Sequence, residues 1–181
     1  MRCAETGAQS LYIDAEGVSP ERFRQIAGDD HRRVLKRILF LTPNSHEELD
    51  DHVSRAVKLA EGDKTVGMVL VDPLPVFYRQ AIGTKNESQV RSLMTNMVVR
   101  LHRIARSRDL PAVITNQVYF DPDTGNIEPL GGQGIGHIAK TIVRLDRTGP
   151  GRRTAVLMKH RHIAEGARAA LRITDRGLED G

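Results

Sequence analysis

Ser10-Leu11-Tyr12-Ile13-Asp14-Ala15-Glu16-Gly17 and Thr65-Val66-Gly67-Met68-Val69-Leu70-Val71-Asp72 decide the reading of this chain, because each is an apolar run closed by a carboxylate. Helical patterns lie before and after these runs, and strands alternating with helices build a parallel sheet. Ligands of such sheets bind outside the carboxyl ends of the strands, so Glu16 and Asp72 face a site and not the core. Taken singly, each acid also fits a helix N-cap that follows a buried strand.

An apolar run ending in Asp between helices is the pattern of the metal-side strand of a phosphate-loop NTPase. There the acid holds Mg2+ directly or through water. Glu16, at a neighbouring strand end, is then placed to orient or deprotonate an attacking water. The phosphate-binding half, Gly-x-x-x-x-Gly-Lys-[Ser/Thr], is expected ahead of the first acidic strand. Only Met1 to Gly7 stand there, and Arg2, Cys3, Ala4 and Glu5 read as the last turns of a helix stopped by Gly7. The expectation is therefore a core truncated at its N-terminus, as a fragment, a mis-called start or a degenerate copy.

The length of 181 residues suits one domain, 1–181, with a sizeable core. No apolar run approaches a membrane span and the first ten residues lack a signal-peptide core, so no membrane partner is expected. A single cysteine, Cys3, excludes an internal disulfide framework and suits a reducing cytoplasm. The net charge of +4 is too small to indicate nucleic acid by itself. The cations are local, at Arg100, Arg103, Arg106 and Arg108 and from Arg152-Arg153 to Lys159-His160-Arg161-His162; a solvated surface accounts for such runs equally well.

Ser19-Pro20-Glu21 opens a helix to about Ala27, and Ser45 with Glu48 makes a capping box for another to about Glu61. Arg37–Leu41 reads as a short strand between them. Val90, Leu93, Met94, Met97, Leu101, Ile104 and Ala105 recur on one face of a long helix, about Asn86 to Arg108. Ala112 to Thr115 is a buried strand ending in Asn116-Gln117, followed by a polar loop rich in glycine. Strands at Thr141–Asp146, Thr154–Lys159 and Ala169–Thr174 have short connections, which favours antiparallel pairing. The expected fold is α/β, with a parallel sheet extended by C-terminal antiparallel strands.

Gly134-Ile135-Gly136-His137-Ile138-Ala139-Lys140-Thr141 comes near a phosphate-loop pattern, but Ala139 replaces the glycine that wraps the phosphate. No apolar strand precedes it and a strand follows, so a flexible surface loop is expected.

Tyr12-Ile13-Asp14-Ala15-Glu16-Gly17, Ser19-Pro20-Glu21-Arg22-Phe23, the Asp72 strand, Val113-Ile114-Thr115-Asn116-Gln117-Val118, Gly131-Gly132 ahead of His137, a basic strand and Leu171-Arg172-Ile173-Thr174-Asp175-Arg176-Gly177-Leu178-Glu179-Asp180 follow in that order. The order resembles the RecA-type recombinases of archaea and eukaryotes, over essentially the whole chain. Within them it is closest to the archaeal RadA and RadB families. RadB is favoured because there is no room for RadA's N-terminal DNA-binding domain and because Lys159-His160-Arg161 replaces an acidic-polar stretch.

That resemblance implies a RecA-like P-loop NTPase core serving DNA repair and homologous recombination as an accessory factor, with ATP and Mg2+ as cofactors and weak DNA-dependent ATPase. It implies DNA, in single-stranded form, as a partner, with RadA or a Holliday-junction resolvase and further copies of the chain as protein partners. Glu16 matches the water-activating carboxylate, Asp72 the Mg2+-side acid, and Arg22 the arginine lying against adenine. Gln117 matches the glutamine that senses the γ-phosphate and passes the signal to the next DNA loop. That loop is Tyr119 to Gly136, with Tyr119, Gly131, Gly132 and His137 as contacts. Pro73 to Lys85 is the first DNA loop, with Arg79 and Lys85 on the phosphate backbone; Phe77, Tyr78 and Tyr119 are candidates for stacking on bases.

Lys159 and Arg161 alternate on one strand and suit a Lys-x-Arg finger reaching a neighbouring subunit's nucleotide. A solvated strand face accommodates the same alternation. His160 and His162 lack a third ligand for a metal. Pro73 stands where the family usually has serine. Without a phosphate loop, turnover by the chain as given is expected to be feeble or absent. Two other readings remain open: a non-catalytic DNA or protein interaction module, and a RecA-like ATPase of the clock-protein or helicase type.

Overall fold

Strand β1 (Gln9–Asp14) follows a short helix α1 (Arg2–Glu5), and its alternation buries Leu11 and Ile13 while Tyr12 stays half-buried. The structure, a computed structural model, describes residues 2–122, 125–132 and 134–181. Helix α2 (Pro20–Ala27) starts as its sequence directs: Ser19 Oγ accepts from Arg22 N at 3.1 Å and Pro20 takes the first turn. Helix α3 (His31–Leu35) and strand β2 (Ile38–Leu41) come next.

Helix α4 (His46–Gly62) is capped by Ser45, whose Oγ accepts from Glu48 N at 3.2 Å. Glu48 Oε2 in return accepts from Asn44 N at 2.8 Å, one residue before the cap itself. Strand β3 (Val66–Asp72), helix α5 (Glu87–Arg108) and strand β4 (Ala112–Ile114) complete the first half.

The strands β2-β1-β3-β4 form one sheet in that order, every pair parallel. Leu49, Val53, Ala56 and Ala60 of α4 and Val90, Met94, Met97, Leu101 and Ile104 of α5 join Leu11, Ile13, Val69 and Val71 in one core. Each such large side chain contributes about 1.5–3 kcal/mol by leaving water. Polar bonds set the two helices side by side: Arg100 reaches Asp50 and, at 2.6 Å, Ser54 Oγ. Arg108 caps the end of α4 by donating to the carbonyls of Ala60 and Glu61.

Strands β5 (Val118–Asp121) and β6 (Asn126–Pro129) form an antiparallel ribbon, and a short helix α6 (Gly134–Ile138) follows. A polar loop was the expectation for 118–129, and a flexible loop for 134–138. Burial of Ile135 holds the latter turn helical despite its two glycines.

Strands β7 (Ile142–Gly149), β8 (Arg152–Lys159), β9 (Arg168–Thr174) and β10 (Gly177–Asp180) form a second sheet, ordered β10-β9-β8-β7 and antiparallel throughout. The chain divides into two compact units. One is Met1–Val18 with Arg32–Ile138, and the other is Ser19–His31 with Ala139–Gly181. In the second, Arg22 Nη2 donates to Thr174 O at 2.6 Å and Gln25 Nε2 to Asp175 Oδ1 at 2.8 Å, which fastens α2 to the β9–β10 turn.

Candidate functional site

Three adjacent parallel strands end level with one another. Asp14 pairs in register with Asp72, and Ala15 N donates to Asp72 O at 2.9 Å. Asp14 itself is buried, and its two oxygens accept from Gly17 N and Val18 N, each at 2.8 Å. Its charge is thus used to shape the turn, where Gly17 takes φ +95°. Glu16 is left as the exposed acid of that strand end.

Beyond β4, Gln117 Nε2 donates to Glu16 Oε1 at 2.6 Å, so the residues from the two outer strands meet across the end of β3. Asp72 is held from both sides as well. Tyr12 Oη donates to Asp72 Oδ2 and Thr115 Oγ1 to Asp72 Oδ1, both at 2.5 Å. Burial, and then the bond to the Asp72 carboxylate, push the Tyr12 hydroxyl well above its ordinary range. Neither Tyr12 nor Thr115 stood out in the sequence as a functional residue; the only sequence signal was a hydroxyl set in, or directly after, each apolar run.

Among the described residues no three His, Cys, Asp or Glu side chains gather as a metal cage. The donor set nevertheless fits Mg2+, which takes oxygen ligands, keeps several waters and draws on substrate phosphates beside one or two carboxylates. Each Asp72 oxygen accepts one hydroxyl and keeps a further acceptor position.

The first candidate DNA loop is largely cemented. Pro73, Leu74, Pro75, Tyr78 and Ala81 are buried, whereas Arg79 and Lys85 are exposed. Tyr78 is only 3% exposed, donates to Glu87 Oε1 at 2.7 Å and accepts from Arg91 Nη2 at 2.8 Å. A ring so packed has no face left for a base, which corrects the stacking expected of Tyr78. Phe77 is half-buried, edge-on to His46 at 5.6 Å.

The second loop carries the open surface. On the ribbon, Val118 pairs with Pro129 and Phe120 with Ile127, so these four share a face. Phe120 is 65% exposed, and Val118 and Ile127 are about half exposed. Tyr119, also exposed, lies on the other face with Glu128. Phe120 and Ile127 were missed because the stretch read as a loop; their alternation was the available signal. Gly131 is buried at φ +87°, a backbone conformation that favours glycine, and a Cβ there would meet the flexible end of Met94 at 2.6 Å. Gly132 is half-buried at φ +82°, and His137 is exposed on α6.

In the second unit Arg22 is tied to backbone carbonyls at one edge of its guanidinium. Strand β8 ends at Lys159, and Arg161 stands in the following bend. Strand alternation therefore does not align these two side chains, which corrects that part of the finger argument. His160 Nδ1 accepts from Ile163 N at 3.2 Å and shapes the bend.

A profile of the Rad51 family matches residues 2–181. The chain belongs to the Rad51 family. A "DNA repair and recombination protein RadB" of Methanococcoides burtonii is 37% identical over 98% of this chain and 79% of that protein. The RadB of Thermococcus kodakarensis is 35% identical over 97% of this chain and 80% of its own length. A crystal structure of the RadB recombinase superposes with a TM-score of 0.79 at 33% identity, covering 99% of this chain and 81% of that one. The RecA-like α/β fold of this Rad51-family chain is thus shared with RadB. Among the described residues no helix is long and apolar enough to cross a membrane.

Proposed function

We propose that this Rad51-family chain is a RadB-like protein of DNA repair and homologous recombination, acting in the cytoplasm on single-stranded DNA in an ATP- and Mg2+-linked manner. The observation that carries the reading is the level rim of β1, β3 and β4, where Glu16, Asp72 and Gln117 converge. In this reading Asp72 anchors the hydrated cation and Glu16 takes the proton of an attacking water. The chemistry that Mg2+ would supply, if held by Asp72 at this rim, is neutralisation of phosphate charge. Gln117 links that chemistry to the ribbon, since Leu130 N donates to Gln117 O at 2.8 Å where the ribbon closes.

DNA meets the apolar ribbon face of Phe120 and Ile127, with Arg79 and Lys85 on the phosphates. Tyr119, Gly132 and His137 border that surface. Arg22 lies against the adenine, and Lys159 with Arg161 serves a neighbouring copy in an assembly. RadA or a Holliday-junction resolvase is the class of protein partner.

Parallel titrations of labelled ATP and labelled single-stranded DNA, each at several salt concentrations, test this. Mg2+-dependent ATP binding together with salt-sensitive DNA binding is the expected result. DNA binding without any ATP binding favours the interaction module, and absence of DNA binding refutes the proposal.

A further inference from the structure

We propose that Tyr12 and Thr115 are positioning residues for Asp72, fixing its carboxylate between the flanking strands so that its remaining lone pairs point to a hydrated divalent cation. The inference rests on the reading of Asp72 as the metal-side acid, and deepens it.

The geometry is specific. An aspartate at a strand end rotates about two side-chain bonds, and one hydrogen bond leaves much of that freedom. Here each oxygen has its own hydroxyl at 2.5 Å, one from the strand on either side. The two hydroxyls are themselves set in place. The Tyr12 ring pairs in register with Leu70, reaches along β3 to Asp72, and packs against Phe40 with centroids 5.4 Å apart. Thr115 is β-branched and stiff at its first torsion. Its backbone is bound at both ends, N to Val71 O at 3.0 Å and O from Leu74 N at 3.1 Å.

A carboxylate accepts about four hydrogen bonds, so two hydroxyls leave roughly two acceptor positions for the waters of a cation. Hydroxyl donors suit this task. They donate to the carboxylate without adding a positive charge that would repel the metal, as a lysine or arginine would. A pair serving only to tie strands together has no need to end on a carboxylate at the ligand rim.

The test reads Asp72 itself. Three-bond couplings in isotopically labelled protein report its side-chain rotamer, and a single rotamer is expected in the wild type. The double variant Tyr12→Phe, Thr115→Val is expected to average between rotamers, with Thr115→Ser alone retaining one. Melting temperatures confirm that the variants fold. A single unchanged rotamer in the double variant overturns the proposal.

Capture of Mn2+ with ATP, followed by the loss of the free-ion electron paramagnetic resonance signal, separates this from the underlying reading. Each hydroxyl deletion is expected to weaken capture about tenfold, in line with the loss of one hydrogen bond to a charged group. Asp72→Asn is expected to abolish it. If Asp72→Asn captures Mn2+ as the wild type does, or the wild type captures none, the metal-side reading of Asp72 falls; the couplings then decide the clamp alone.

Discussion

Phe120→Ala gives the sharpest test of the ribbon surface. An aromatic side chain covers about 150–250 Å² when fully buried. With 65% of Phe120 open to water, more than ~100 Å² is available to a base, worth about 2.5 kcal/mol at ~25 cal/mol per Å². That agrees with the roughly 1–3 kcal/mol found for one base stacked on an aromatic ring. The variant is therefore expected to bind single-stranded DNA about 10- to 100-fold more weakly. No charge is removed, so the slope of log affinity against log salt should not change. Since the ring already stands in water, stability should move by less than about 0.5 kcal/mol. Fluorescence anisotropy at four salt concentrations, with a thermal melt alongside, measures all three quantities. Tyr119→Ala on the opposite face shows which side meets the bases. Full affinity in Phe120→Ala, or loss only through a changed salt slope, refutes the assignment of this face.

Met97 is fully buried between α5 and the sheet, and Met97→Ala should cost about 2–5 kcal/mol by chemical denaturation, because the core relaxes only partly around the void. Glu87 predicts a pH effect. Its carboxyl lies below the ordinary glutamate range because of the Gly83 N–H first and then the Tyr78 hydroxyl. A lowered folded value means that the unfolded chain binds the proton first. The stabilisation is therefore complete above the ordinary glutamate pKa and is lost as pH falls through the depressed one. Denaturation midpoints of the wild type should drop across that acid window by more than those of Glu87→Gln; parallel curves would contradict the sign.

The strands bearing Glu16 and Asp72 were legible because an apolar run closed by an acid is a local signal. Helix α5 was legible because Val90, Met94, Met97, Leu101 and Ile104 keep one period over its length. The hydroxyl clamp was not, since Tyr12 and Thr115 lie 60 and 43 residues from Asp72. Only the parallel register brings them together, and no window of sequence spans it. Helix α3 offered few signals in five residues. Strand β10, Gly177–Asp180, has one large apolar residue and is defined by pairing with β9. The ribbon was obscured because Pro122, Gly125 and Pro129 suggested a loop, whereas Pro129 lies in its second strand and Pro122 and Gly125 lie between the two strands.

The ribbon departs from the strand ends at Gln117 and returns at Leu130, joined there by one peptide hydrogen bond. Leu130 at that foot packs into the main core, so the ribbon is a pointer that follows whatever shifts beneath it. Four residues at about 3.3 Å each put its far end ~13 Å out. A tilt of about 10° beneath it therefore carries the tip through roughly 2 Å, more than half the spacing between stacked bases at ~3.4 Å. A rearrangement too small to disturb the core would thus be large on the scale of a nucleotide strand.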